Sequence, residues 1–163
     1  MFSIRLPERR PQVAAALAGA CLMLATSLAA RAAGGPQNFD TTTWAAMKQS
    51  LPRPAAVVFA TTDCAHCPAA IDGLAAGMRR TRGKGTLAVV IMDGATVPDL
   101  RHHPHFAKAD RLYVFDGNEM AIRHSVNPDW RGLTPFIALL PHSGEPRFHT
   151  GPLSTTERRR FFR

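Results

Sequence analysis

The sequence predicts an α/β fold, a central mixed β-sheet flanked by helices, on three observations. Two short valine-rich apolar runs, Ala55 to Thr61 and Thr86 to Met92, are bounded by proline, glycine and aspartate and read as strands buried on both faces. Between them, Ile71, Leu74, Ala75 and Met78 line one face of a helical pattern that opens at Pro68, so strand, helix and strand form a right-handed parallel crossover. Further on, Phe136 to Leu140 and Arg147 to His149 flank the turn Pro141-His142-Ser143-Gly144-Glu145 and make an antiparallel hairpin.

At 163 residues the chain has room for one domain, and 45% hydrophobic residues can fill its core. No internal repeat is present. Residues 1–32 read as an export signal: Arg5, Arg9 and Arg10 give a positive front, and Val13 to Ala30 follows without a charge. Ala30-Arg31-Ala32 then offers the small-x-small pattern for cleavage after Ala32. The alternative is an uncleaved membrane anchor, because 18 uncharged residues reach the lower edge of a spanning length. Either reading makes the protein periplasmic. Cys21 is a passenger of this leader. Residues 33–38 read as a flexible linker and residues 39–163 as the folded domain.

Phe39 to Thr43 leads into the domain, and its threonines are placed to cap a short helix, Trp44 to Ser50, ended by Pro52 and Pro54. After the first buried strand, Asp63 or Thr62 is the candidate N-cap of the next helix. Pro68 lies in its first turn, where a missing N–H does no harm. That helix closes in Arg79-Arg80-Thr81-Arg82-Gly83, cations that suit a helix C-terminus. Beyond the second strand, Val97 to Asp110 is proline-interrupted, polar and histidine-rich, with a helix expected in its second half. Leu112 to Phe115 reads as a strand, Glu119 to Ser125 as a short helix, and Val126 to Asp129 as a loop. Trp130-Arg131-Gly132-Leu133-Thr134-Pro135 opens onto the hairpin, and Ser154 with Glu157 forms a capping box for a final helix through Phe162.

The chemistry concentrates at Cys64-Ala65-His66-Cys67. With Cys21 discounted, these are the only cysteines of the mature chain. A pair spaced by two residues closes almost no loop, so its value is chemical rather than that of a staple. A helix N-terminus carries roughly half a positive charge and unpaired N–H groups, which favour a thiolate on the leading cysteine. Cys64 is therefore the attacking sulfur and Cys67 the resolving one.

The order of parts, strand, C-x-x-C helix, strand, inserted segment, Gly132-Leu133-Thr134-Pro135, hairpin and terminal helix, resembles the thioredoxin superfamily over about residues 39–163. The Leu-Tyr-Val-Phe-Asp-Gly insert looks most like its exported TlpA/ResA-like branch. The resemblance implies a thioredoxin-like fold and a protein thiol–disulfide oxidoreductase that needs no dissociable cofactor. It implies a cis Thr134–Pro135 bond facing the dithiol, with the Thr134 backbone presented to an incoming polypeptide. It also implies that His66 tunes the dithiol by stabilising the Cys64 thiolate, which makes the disulfide more oxidising than thioredoxin's, about −270 mV, and points to oxidation or isomerisation, whereas the branch resemblance points to a reductant. Two positions depart from the family pattern. Val58 stands where members often carry a buried acid, and Asp63 stands where a tryptophan often precedes the first cysteine. An adjacent carboxylate at Asp63 opposes the helix dipole and His66, unless it is engaged in capping.

His102-His103-Pro104-His105 offers a different reading, a copper-binding or copper-delivery protein that combines the cysteine pair with a histidine-rich loop. Pro104 breaks the register that would set His102 beside His105, which favours a solvated loop. Four of the 20 Lys/Arg and one of the 12 acidic residues lie in the leader, so the rest of the chain carries +5 of the formal +8. No nucleic-acid recognition motif accompanies that charge, so it reads as a solvated basic face with no nucleic-acid partner. The expected partners are protein thiols and disulfides, with a membrane redox partner, acting on a monomer.

Overall fold

The two valine-rich runs are the central strands of the molecule in the computed structural model, which describes residues 35–81, 85–96 and 99–162. In chain order the elements are β1 (Gln37–Phe39), α1 (Thr43–Ser50), β2 (Ala55–Ala60), α2 (Cys67–Arg80), β3 (Thr86–Ile91), β4 (Arg111–Phe115), α3 (Glu119–Val126), β5 (Phe136–Leu140), β6 (Arg147–Thr150) and α4 (Thr155–Phe161). They form one sheet in the order β1-β4-β3-β2-β5-β6. The first four strands of that order run parallel, whereas β5 is antiparallel to β2 and β6 to β5.

Every residue of β2 and β3 is buried, as continuous apolar runs in a sheet covered on both sides require. Successive side chains point to opposite faces, and so divide the core in two. Val58, Ala60, Val89 and Ile91 pack with Ile71 and Leu74 of α2 and Phe161 of α4. Val57, Phe59, Ala88 and Val90 pack with Trp44 of α1 and Ile122 of α3. Ser154 and Glu157 close both halves of the expected capping box on α4.

Three expectations need correction. Gln37 and Asn38, assigned to the linker, pair with Tyr113 and Val114, so the sheet starts two residues before the expected domain boundary. Only Phe39 of this strand is buried, which leaves no alternating pattern to read. The helix expected in the second half of Val97 to Asp110 does not form: residues 104–108 are turns that follow a 3-10 turn, Leu100–His102, because Pro104 interrupts the register while Leu100 and Phe106 are pulled into the core. The leader over residues 1–32, with Cys21, and the first two linker residues lie outside the described residues.

The third correction concerns α1: Thr42 holds the N-cap position, as expected of a threonine, but its side chain makes no capping bond, and the acceptor is supplied by Asp40. Its carboxylate oxygen accepts from the Thr42 hydroxyl at 2.8 Å, the Thr42 N–H at 2.8 Å, the Thr43 hydroxyl at 2.9 Å and the Thr43 N–H at 3.0 Å. These bonds, led by the Thr42 hydroxyl, hold the Asp40 carboxyl at about 2, below its ordinary 3.8. A lowered carboxyl stabilises the fold above its unfolded value and ceases to do so as pH falls through the folded one. Asp40→Ala is thus expected to lower the melting temperature at neutral pH, with the gap to the parent closing between about pH 4 and about pH 2. Thermal melts by circular dichroism across that range check this, and a gap independent of pH would contradict it.

Candidate functional site

The site is built where β2 runs out. Its ladder to β3 continues one step past the strand, with the Met92 N–H donating to the Ala60 carbonyl at 2.9 Å. The chain then passes Thr62, whose N–H reaches both carboxylate oxygens of Asp93 at 3.0 and 3.1 Å and whose hydroxyl donates to one of them at 2.6 Å. Asp93 lies just beyond β3, so the second central strand moors the segment that carries the cysteines.

Cys64 and Cys67 are joined by a disulfide with Cα atoms 5.4 Å apart. The Cys67 N–H donates to the Cys64 carbonyl at 3.2 Å, a tight turn ahead of the helix. Helix α2 begins at Cys67 with His66 as N-cap, so neither expected cap serves. Thr62 is taken by Asp93, and the turn separates Asp63 from the helix. The His66 side chain makes no capping bond, while its carbonyl accepts from the Ala70 N–H at 3.3 Å. Pro68 occupies the first turn as expected.

The two sulfur-bearing residues differ in access. Cys67 is 1% exposed and sits among Val58, Ala60 and Ile71, whereas Cys64 is partly exposed at the margin of that cluster. Val58 is fully buried, so an apolar side chain fills the place where the resemblance led one to look for an acid.

The Thr134–Pro135 bond is cis. Phe136 pairs with Phe59 in the antiparallel register, which sets Pro135 one step on, at the end of β2 from which the cysteine turn departs. The Pro135 carbonyl accepts from the Gly151 N–H at 2.8 Å, and Thr134 is half-buried. A second cis bond, Arg53–Pro54, went unforeseen and precedes β2 at its other end.

Sequence reasoning also missed what fixes the loop before Pro135. Trp130 is buried, with its ring stacked on Phe136 at 4.5 Å and set against Phe59 at 4.9 Å. Its indole N–H donates to the Leu133 carbonyl at 3.0 Å. Gly132 has φ +85°, and a Cβ there would stand 2.8 Å from the Arg123 guanidinium. The loop therefore folds back on the tryptophan and leaves the Leu133 side chain 65% exposed. The Trp-x-Gly spacing was its one available signal. Beside it lies a groove of about 260 Å³ lined by Trp130, Leu133, Phe136 and Phe148 among others.

The histidine-rich loop does not join this constellation. His102 Nδ1 is 2.5 Å from Asp99 Oδ1 at the surface, while His103 stacks on Phe106 and meets His105 edge-on at 4.7 Å. Among the described residues no group of three or more His, Cys, Asp or Glu side chains is arranged to hold a metal ion.

No family model matches the chain, and no curated protein matches it either. Among solved structures it is similar to that of MTB DsbF in its mixed oxidized and reduced forms, with 15% sequence identity and a TM-score of 0.51. The match covers 71% of this chain and 82% of that one. The fold is thioredoxin-like, a mixed sheet between two layers of helices.

Proposed function

We propose that the protein is an exported thiol–disulfide oxidoreductase that exchanges disulfides with protein partners, of the TlpA/ResA-like kind. The observation that carries this reading is the asymmetry of the pair, an accessible Cys64 and a buried Cys67 at the sheet end that also bears the cis Thr134–Pro135 bond. A partner thiolate attacks Sγ of Cys64, the Cys64–Cys67 bond breaks, and its electron pair passes to Sγ of Cys67, which takes up a proton. A second partner thiolate then attacks the partner sulfur of the mixed disulfide and releases Cys64 as a thiolate. The partner leaves oxidised by two electrons, and the protein holds both as a dithiol for a membrane redox partner to collect. Run backwards, the same steps reduce a partner disulfide. The Thr134 backbone and the groove beside Leu133 receive the polypeptide that bears the reacting sulfur.

Val58 provides no proton acceptor beneath Cys67, so its proton leaves through water or through a group that the partner brings. His66, exposed at the N-cap two residues from Cys64, adds a hydrogen-bond donor that stabilises the reduced state. Equilibration with glutathione is expected to give a potential above thioredoxin's, about −270 mV, and His66→Ala is expected to lower it. A value at or below thioredoxin's would overturn the oxidising assignment.

A further inference from the structure

Gly73, Ala76 and Arg80 lie along one side of α2 and face Thr155, Arg158 and Arg159 of α4 across a cleft of about 480 Å³. Small residues open it. A Cβ on Gly73 would stand 3.3 Å from Cδ of Arg158, so that side chain lies close across the bare helix backbone. The Arg158 guanidinium is fixed by a bond to the Leu153 carbonyl and by another to Thr155 Oγ1 at 3.2 Å. Those bonds use two of its five N–H donors. The Thr155 hydroxyl accepts there and keeps its own hydrogen to donate.

Arg80 and Arg159 are exposed and have no hydrogen-bond or ion-pair partner among the described residues. Among the described residues no carboxylate lines the cleft. Asp72 is bound to Lys108 at 2.6 Å, and Glu157 is engaged by the Ser154 N–H at 2.7 Å and faces His149 at 3.5 Å. Cations in a last helical turn suit the helix dipole. The dipole does not explain why guanidinium groups from two helices converge on one cavity without an acid between them.

We propose that this cleft binds a phosphoryl group. A carboxylate presents two oxygens and one charge, and a single guanidinium satisfies it. A phosphoryl group brings three acceptor oxygens and close to two charges, which matches three arginines and a hydroxyl. Planar forked donors rather than lysine ammoniums fit that geometry. The far end of the cleft stands apart from the dithiol, because Arg80 is 13 residues along α2 from Cys67, about 20 Å. A molecule held there leaves Cys64 open.

Inorganic pyrophosphate titrated calorimetrically into the full chain is expected to bind saturably. Combining Arg80→Ala with Arg159→Ala should weaken that binding about tenfold or more, the scale of two lost charge-assisted contacts. Sedimentation with phosphatidylcholine vesicles that contain phosphatidic acid, whose headgroup is a terminal phosphoryl group, against vesicles of phosphatidylcholine alone, separates the sources of the group. Arginine-dependent vesicle binding that pyrophosphate displaces assigns a lipid headgroup; pyrophosphate binding without it assigns a soluble phosphate. Parent and variant share one N-terminus, so their difference isolates the cleft. Both side chains are exposed, and an unchanged melting temperature certifies the variant's fold. No saturable pyrophosphate binding, or equal binding by the variant, overturns the proposal. So does arginine-dependent capture of a polyglutamate peptide without any pyrophosphate binding. The readout is independent of the cysteines, so it stands or falls separately from the redox assignment.

Discussion

Cys64→Ser is expected to bring disulfide exchange down to the uncatalysed background, a loss of about a thousandfold or more, the scale of removing a covalent nucleophile. Cys67→Ser should give a different phenotype. Cys64, a partly exposed residue, is still able to form a mixed disulfide, but the buried residue that would resolve it is gone. Turnover stops in both variants, yet only Cys67→Ser should accumulate covalent adducts with partner proteins on non-reducing gels, dispersed by dithiothreitol. Insulin reduction follows the loss of rate. If Cys64→Ser traps adducts and Cys67→Ser does not, the roles are reversed and the asymmetry in burial has been misread. If both variants keep the parent's rate, the redox assignment itself fails.

The parts of this site that were legible in the sequence are those encoded locally. The buried strands announce themselves through continuous valine-rich runs, and Ser154 with Glu157 needs only one helical turn to be recognised. The cysteine pair, Pro68 and Thr134–Pro135 are likewise short motifs, and the fold places them at one end of the sheet. What stayed hidden depends on partners distant in the chain. Thr62 reads as a helix cap until Asp93, 31 residues away, claims its N–H and hydroxyl. Gln37 and Asn38 look like linker because their strand is defined by β4, more than seventy residues on, and not by any pattern of their own. In the histidine-rich loop the local signal pointed both ways, since three close imidazoles offered a ligand set while Pro104 favoured a solvated loop; His103 and His105 stay in contact, whereas His102 turns to Asp99.

Trp130 is the residue whose importance the sequence understated most, and its replacement should have the largest effect on stability. Trp130→Ala removes a buried ring from contact with Phe136 and Phe59, next to the point where β5 meets β2. Truncating a buried aromatic of this kind costs about 3–5 kcal/mol, through lost transfer energy and the cavity left behind. It also strips the Leu133 carbonyl of its donor, so the loop ahead of Pro135 loses the bond that folds it back. Trp130→Phe keeps much of the packing while deleting that bond, at a net cost of about 1 kcal/mol. Urea denaturation should therefore rank parent, Phe and Ala in that order. Exchange rates measured where each protein is fully folded should fall for both variants, because both release the loop that leads into Thr134, the proposed docking backbone. Were Trp130→Phe to exchange at the parent's rate, the indole bond would hold the fold alone and the loop's posture would be irrelevant to substrate.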